Sequence, residues 1–205
     1  MEKLPVFKTE GIIIKSADLG ELDRLITVYS RGYGKILTRA ISARKLESKL
    51  RGYLEPFTYS SFLLAKSKTI DIVTDIEPID NFSHLHGNLE SLAYAFYFTE
   101  LIDKLVVAPE RDDKIWALIL RAFQVLNEYN SPRPSLKSRE GVANPPSYIK
   151  RGVGGVNLSK IRVLFEQKLL EFLGHGLPKN KTALEIIQGL VGKRIESNKF
   201  LGQIN

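Results

Sequence analysis

The pattern of apolar residues changes once along this chain of 205 residues, between residues 79 and 83. Before that point, short segments rich in β-branched and aromatic residues alternate with Gly, Pro, Ser and Lys, which is typical of strands and turns. The predicted strands are residues 10–16, 23–30, 34–42, 56–65 and 69–75. Five strands in about 70 residues predict a small antiparallel barrel, and this pattern leaves an OB-type and an SH3-like barrel open.

After that point the apolar residues recur at helical spacing. The predicted helices are residues 85–107, 112–130 and 159–173, with two shorter ones at 181–191 and 197–201. Ser159 is the predicted N-cap of the third helix and Gly174 its predicted end. The chain is therefore predicted to be a two-domain α+β protein, with a β-barrel in residues 1–80 and an all-α domain in residues 81–205. Residues 131–157 hold four prolines and four glycines, which predicts a flexible insert.

Composition excludes several classes of protein. The chain has no cysteine, so it can form no disulfide, thiolate metal site or cysteine nucleophile. No apolar run approaches the roughly 20 residues that span a bilayer, and the N-terminus lacks a signal-peptide pattern. We therefore expect a cytoplasmic protein. A net charge of +7 favours an anionic partner only weakly.

The position of the positive charge is more informative than its total. Between residues 31 and 51 the chain has seven basic residues and one acid, Glu47. A dense cationic surface binds phosphates because it releases their counterions, so this run predicts nucleic-acid binding, with a solvated charged face as the alternative. Tyr33 and Tyr53 flank the run and are candidates to stack on bases, or are turn and core residues. The candidate phosphate ligands are Arg31, Lys35, Arg39, Arg44, Lys45, Lys49 and Arg51.

The sequence shows no catalytic constellation, so we do not expect an enzyme. Asp71, Asp75 and Glu77 stand at even spacing on the last predicted strand, where carboxylates on one face are able to hold Mg²⁺. The polar outer face of a half-exposed strand is the favoured interpretation, and a metal-dependent nuclease is the weaker alternative. His84 and His86 are two residues apart, which is not the spacing of a metal-binding pair on a helix.

Several motifs, taken together, resemble the RecO family of recombination mediators. In the N-terminal half these are residues 11–15 (GIIIK), 20–24 (GELDR), 34–35 (GK), 43–44 (AR) and 50–57 (LRGYLEPF). Residues 165–176 (FEQKLLEFLGHG) and 192–201 (GKRIESNKFL) resemble later parts of the family. The resemblance implies an N-terminal OB fold followed by a helical domain.

The resemblance also implies a function in DNA repair and recombination through the RecF pathway. Family members bind single- and double-stranded DNA, anneal complementary strands and help to load RecA onto DNA coated by single-strand-binding protein (SSB). The implied partners are RecR and the acidic, apolar C-terminal tail of SSB, and the implied location is the nucleoid. Lys160, Arg162 and Lys168, at the rim of an apolar groove between helices, are the candidate residues for that tail.

Two qualifications accompany this resemblance. Many members have a longer segment between the positions of Gly176 and Gly192, often with a four-cysteine zinc site, so the cysteine-free segment here predicts no zinc and no other cofactor. Charge alone does not distinguish DNA from RNA, because both are held mainly through phosphates. An RNA- or ribosome-associated OB protein is therefore the alternative function.

Overall fold

The computed structural model describes residues 5–129, 157–178, 180–192 and 195–204, without the side chains of residues 202–204. The predicted insert at 131–157 lies outside the described residues, apart from Asn157. The strands are β1 Val6–Leu19, β2 Asp23–Ser30, β3 Gly34–Ala40, β4 Tyr59–Ala65 and β5 Asp71–Asp80. The α-helices of the described residues are α1 Ser83–His86, α2 Leu89–Leu105, α3 Asp113–Tyr129, α4 Leu158–Phe172, α5 Ala183–Val191 and α6 Asn198–Ile204.

The five strands form a closed barrel in the order β1-β2-β3-β5-β4. All neighbours are antiparallel except β3 and β5, which run parallel where Thr38 lies opposite Asp71. The long first strand closes the barrel because it pairs with both β2 and β4. This arrangement confirms the predicted α+β class and selects the OB-type barrel over the SH3-like one.

Three consecutive isoleucines in β1 are buried on both faces of the barrel wall. Ile13 points into the barrel interior, whereas Ile12 and Ile14 pack into the core of the helices. Neighbouring strand residues point to opposite faces, so a run of three apolar residues is required where both faces are covered. The outer face of the barrel therefore shares one core with the helices, while the barrel interior forms a second cluster.

Phe57 joins the two halves most directly. Its ring lies edge-on to Phe96 of α2 at 4.7 Å and to Phe123 of α3 at 5.7 Å between ring centroids. The Phe57 backbone N–H donates to the carbonyl of Ile13 at 2.7 Å, which ties the residue to β1. Phe57 is fully buried and has a φ of 67°, a backbone conformation that residues other than glycine rarely adopt.

A second contact joins the β2–β3 turn to the connection between α2 and α3. Gly34 has a φ of 66°, and a Cβ atom at this position would lie 2.0 Å from the carbonyl oxygen of Glu110. Only glycine avoids this clash while adopting the turn conformation. The motif glycine at position 34 therefore permits the barrel to approach the helices closely.

Helix α4 begins one residue earlier than the sequence predicts, and its N-cap lies two residues earlier. The Asn157 side chain accepts hydrogen bonds from the backbone N–H groups of Ser159 and Lys160, so Asn157 is the N-cap. The prediction of Ser159 as the N-cap is wrong, because an asparagine two residues upstream performs the same function. No helix in the described ranges is long and apolar enough to cross a membrane.

Candidate nucleic-acid interface

The structure does not bring the seven predicted basic residues into one stripe. Lys35, the first of them on β3, points towards α2 and donates to the backbone carbonyl of Asp103 at 2.6 Å. Its side chain is only 13% exposed. Burial lowers the pKa of Lys35, opposed by the negative charge of Asp103. Lys35 therefore connects the barrel to α2 through this hydrogen bond, and its ammonium group is not available to a phosphate.

Arg31 and Tyr33 lie at the opposite end of β3 from Arg39, because β2 and β3 pair from Ser30–Gly34 to Arg24–Ala40. Arg31 is exposed and pairs with Glu10 at 3.4 Å. The ring of Tyr33 packs edge-on against Phe7 with 4.8 Å between centroids, and 43% of the residue is exposed. Of the seven predicted cations, Arg31 is the exposed one at this end of the barrel, so this end is a poor centre for the interface.

Arg39 supports the start of the β3–β4 loop, which we define as residues 41–58. Its Nε donates to Asp23 Oδ2 at 2.8 Å, and the other Asp23 oxygen accepts from the backbone N–H of Ser42 at 2.7 Å. The hydrogen bonds from Ser42 and Arg39 lower the pKa of Asp23. Arg39 remains 47% exposed, so its guanidinium both holds the loop and faces solvent.

Arg44 supports the same loop from the other side. Its Nη1 donates to the backbone carbonyls of Gly20 at 3.1 Å and Glu21 at 3.0 Å. Its Nη2 lies 3.3 Å from the carboxylate of Asp18. Arg44 thus connects the β1–β2 turn to the β3–β4 loop, and part of its positive charge is already matched by Asp18.

Lys45, Lys49 and Arg51 form the part of the predicted set that is free to bind a ligand. All three are exposed, and none of their side chains makes a hydrogen bond or ion pair with any residue that the structure describes. Lys45 acts on Asp23 only through charge at longer range. We name these three residues the loop cations. Tyr53, 43% exposed, follows them on the same loop.

The loop that carries these cations has a defined backbone. The N–H groups of Lys45, Ser48 and Arg51 donate to the carbonyls of Ser42, Lys45 and Ser48 at 3.2, 3.1 and 3.2 Å, which makes a series of turns. Ala43 and Leu54 are buried in the barrel core and anchor the two sides of the loop. The cations are therefore displayed from a fixed framework, which lowers the entropy lost when they bind phosphates.

The three carboxylates considered for a metal do not share a face. The pairing of β4 with β5 shifts between Leu63–Asp75 and Leu64–Val73, so Thr74 is an extra residue in β5. This bulge reverses the alternation of side chains, which the even spacing of the sequence does not show. Asp71 instead accepts from the Ser67 backbone at 3.0 Å and pairs with Lys66. The described residues contain no group of three or more potential metal ligands of the His, Cys, Asp and Glu types.

A groove lies between α4 and α5, and one of the three basic residues predicted for the partner site lines it. Arg162 donates through Nε to Glu166 at 2.7 Å and stacks on the ring of Tyr97. Lys168 pairs with Glu171 at 2.8 Å and does not line the groove, nor does Lys160. Lys181, which the sequence analysis missed, lines the groove instead, together with Val163, Leu177 and Leu184.

Glu100 of α2 holds the segment that leads into α6. Its carboxylate accepts from the backbone N–H groups of Glu196 and Ser197, both at 2.8 Å, and from the Ser197 hydroxyl. Burial raises the pKa of Glu100, but hydrogen bonds from Lys104, Ser197 and Glu196 outweigh it and lower the pKa from 4.5 to about 2. The ionised carboxylate is thus the form that fixes α6.

This arrangement predicts a pH dependence of stability. Because the pKa of Glu100 is lower in the folded state, its contribution is present above pH 4.5 and is lost as the pH falls towards 2. The free energy of unfolding, measured with urea at about pH 6 and again at about pH 3, should fall between these two pH values. We expect this fall to be smaller for Glu100→Gln than for the unchanged chain. Glu90→Gln, a half-buried control in the first turn of the same helix, should behave like the unchanged chain. An equal pH dependence in all three would contradict the role given to Glu100.

Comparison with known proteins points to one family. Residues 1–82 match a family model described as the recombination protein O N-terminal domain. The matched range covers the whole barrel and ends just before α1.

Curated relatives extend the similarity beyond the barrel. A DNA repair protein RecO of Roseiflexus is 37% identical over 123 residues, which cover 60% of this chain and 43% of that protein. The Alkaliphilus metalliredigens protein of the same name is 30% identical over 151 residues, which cover 65% of this chain and 61% of that protein. The Clostridium kluyveri protein of the same name is 28% identical over 181 residues, which cover 88% of this chain and 61% of that protein. The chain spans about half the length of the curated relatives it matches.

Proposed function

This chain belongs to the RecO family, and on that premise we propose that it is a DNA-binding recombination mediator in DNA repair. It binds single- and double-stranded DNA, anneals complementary strands and helps to load RecA onto SSB-coated DNA. The observation that supports this proposal best is the group of loop cations, which are exposed, held on an ordered loop and free of ion pairs with described residues.

The chemistry of the proposed site is binding without catalytic turnover. Lys45, Lys49 and Arg51 contact phosphates of the backbone, and Arg39 and Arg44 add partly exposed charge at the base of the loop. Such contacts fix the position of a strand and carry no sequence information. Positive charge between two strands lowers their mutual repulsion, which is the main barrier to annealing.

Annealing of SSB-coated complementary oligonucleotides, with and without this chain, tests the proposal. We expect faster annealing in its presence, and tighter binding of DNA than of an RNA oligonucleotide of the same sequence. No acceleration would contradict the mediator function. A clear preference for RNA would favour the RNA-associated alternative instead.

The α4–α5 groove is the proposed site for the SSB tail, and RecR is the second proposed protein partner. Arg162 lines the groove, stacks on Tyr97 and donates through Nε to Glu166, and the exposed 19% of its side chain is the part that a peptide carboxylate would reach. Lys181 supplies a second positive charge, and Val163 and Leu177, 46% and 43% exposed, supply apolar contact. An acidic peptide with apolar side chains matches this combination.

We expect the pair Lys181→Glu and Val163→Asp to lower the affinity for an SSB tail peptide at least tenfold, because it reverses one charge and makes the apolar wall polar. Both side chains are exposed, so the fold should be retained. Lys168→Glu on the outer side of α4 is the matched control and should keep peptide affinity. Fluorescence anisotropy of a labelled tail peptide measures both, and equal losses in the two variants would contradict the assignment of the groove.

The proposed function requires no metal or other cofactor. The expected lack of zinc stays a prediction, which elemental analysis of the purified chain checks.

A further inference from the structure

Leu46 is a large apolar side chain in a position that folding does not explain. It is 83% exposed and lies at the turn of the β3–β4 loop, directly after Lys45. Barrel core residues in the same loop, such as Ala43 and Leu54, are 1% and 0% exposed. Isolated exposed leucines are common, so exposure alone carries no meaning. Its setting among the loop cations is the informative feature.

The surroundings of Leu46 match a nucleic-acid wedge. The loop cations stand one residue before it and three and five residues after it. Turn hydrogen bonds before and after Leu46, from Lys45 to Ser42 and from Ser48 to Lys45, hold the backbone that presents it. Proteins that deform DNA combine these features, because cations hold the phosphates while an apolar side chain packs against an unstacked base step.

We propose that Leu46 is an apolar wedge that packs against the terminal base pair where a duplex meets a single strand. This proposal rests on the DNA-binding function and assigns a preferred DNA structure to that same site. Unstacking a base step within a duplex costs free energy, whereas the terminal pair at a junction already has one open face. A single leucine therefore gains apolar contact at a junction without having to open the duplex.

A membrane surface is the other ligand that a cationic tip with one apolar residue suggests. Membrane binding grows with the apolar area that enters the lipid, and the tip of this loop offers one leucine, 83% exposed, beside the acidic Glu47. The small apolar area favours a junction base pair, which a single side chain is large enough to cover.

The test compares Leu46→Ala with the unchanged chain on three DNAs: a duplex with a single-stranded tail, the single strand alone, and a relaxed covalently closed circular duplex. Loss of most of the leucine contact should weaken binding of the tailed duplex about tenfold. Binding of the other two DNAs should stay within about twofold. A 2-aminopurine base at the terminal pair should change fluorescence with the unchanged chain and much less with Leu46→Ala.

The matched control is Leu89→Ala, which removes another highly exposed leucine, 75% exposed, at the start of α2. It should leave binding of all three DNAs unchanged. An equal change on all three DNAs with Leu46→Ala, or no change on any, would overturn the wedge. The wedge is also overturned if Leu46→Ala loses binding to phosphatidylserine vesicles while keeping the tailed duplex. Failure of the unchanged chain to bind any DNA would instead overturn the proposed function itself.

Discussion

Changing the three loop cations Lys45, Lys49 and Arg51 to glutamate is expected to weaken binding of single-stranded DNA about a hundredfold or more and to abolish annealing. Each contact with a phosphate releases counterions from the DNA. Replacing a cation with glutamate removes that contact and adds electrostatic repulsion between the carboxylate and the phosphate. With about five phosphates contacted by the unchanged chain, the logarithm of affinity should fall with that of salt concentration at a slope of roughly −3.5. Loss of three contacts should reduce that slope by roughly 2.

The matched control changes Lys8, Lys66 and Lys68 to glutamate. These lysines are exposed on β1 and the β4–β5 loop of the same barrel, so the control alters the net charge by the same amount. Fluorescence anisotropy with a labelled oligonucleotide at several salt concentrations measures affinity and slope together. If the two triple variants lose affinity equally, total charge governs binding and the loop has no special part in it.

The choice of variants follows from contacts that only the structure shows. Arg39 and Arg44 belong to the cationic run of the sequence, but their hydrogen bonds to Asp23 and to the Gly20 carbonyl hold the loop. Reversal of either would disturb the framework as well as the charge, and a loss of binding would have two explanations. The loop cations avoid this problem because their side chains make no hydrogen bond or ion pair with any described residue.

The fold was largely predictable because its local patterns agree with its global architecture. The change from strand to helix falls between Asp80 and Ser83, where the sequence pattern changes. β2 has the predicted bounds, Asp23–Ser30. The bulge at Thr74 was not predictable, because an extra residue in a strand depends on how its partner strand pairs and leaves no mark in apolar spacing.

The candidate site was predictable only in part. A run of basic residues shows that cations are close in sequence, but not which of them are already paired. Lys35 is removed from the set by Asp103, which lies 68 positions away in the chain. Lys181 lines the α4–α5 groove because α5 packs on α4, which no local motif indicates. Side chains whose roles depend on distant partners need the tertiary structure.

The motifs that carry the family resemblance are mainly structural. Asp23 braces the β3–β4 loop, and Arg24 donates to Glu55 at 3.0 Å. Gly34 permits the contact with Glu110, and Phe57 enters the core of the helices. The motifs therefore fix the frame and the position of the barrel against the helices. Of the loop cations, Lys45 and Lys49 lie between two motifs, whereas Arg51 belongs to the motif at residues 50–57.

If this reasoning is correct, Phe57→Ala should lower the free energy of unfolding by about 3–5 kcal/mol, because it removes a fully buried ring shared by both halves. Trp116, the one tryptophan of the chain, packs edge-on against Tyr59 of the barrel at 5.7 Å and reports on the same junction. Urea unfolding followed by Trp116 fluorescence should therefore show a single transition that moves to lower urea.

Phe200→Ala is the matched control, because this ring is 60% exposed on α6 and its loss should cost less than about 1 kcal/mol. The two halves share one core through Ile12, Ile14 and Phe57, so they should unfold together in both variants. A second transition in Phe57→Ala, with helical circular dichroism retained after the barrel has melted, would show that the helices are stable without the barrel. In that case the contact at Phe57 would position two independent domains and would not be part of a common core.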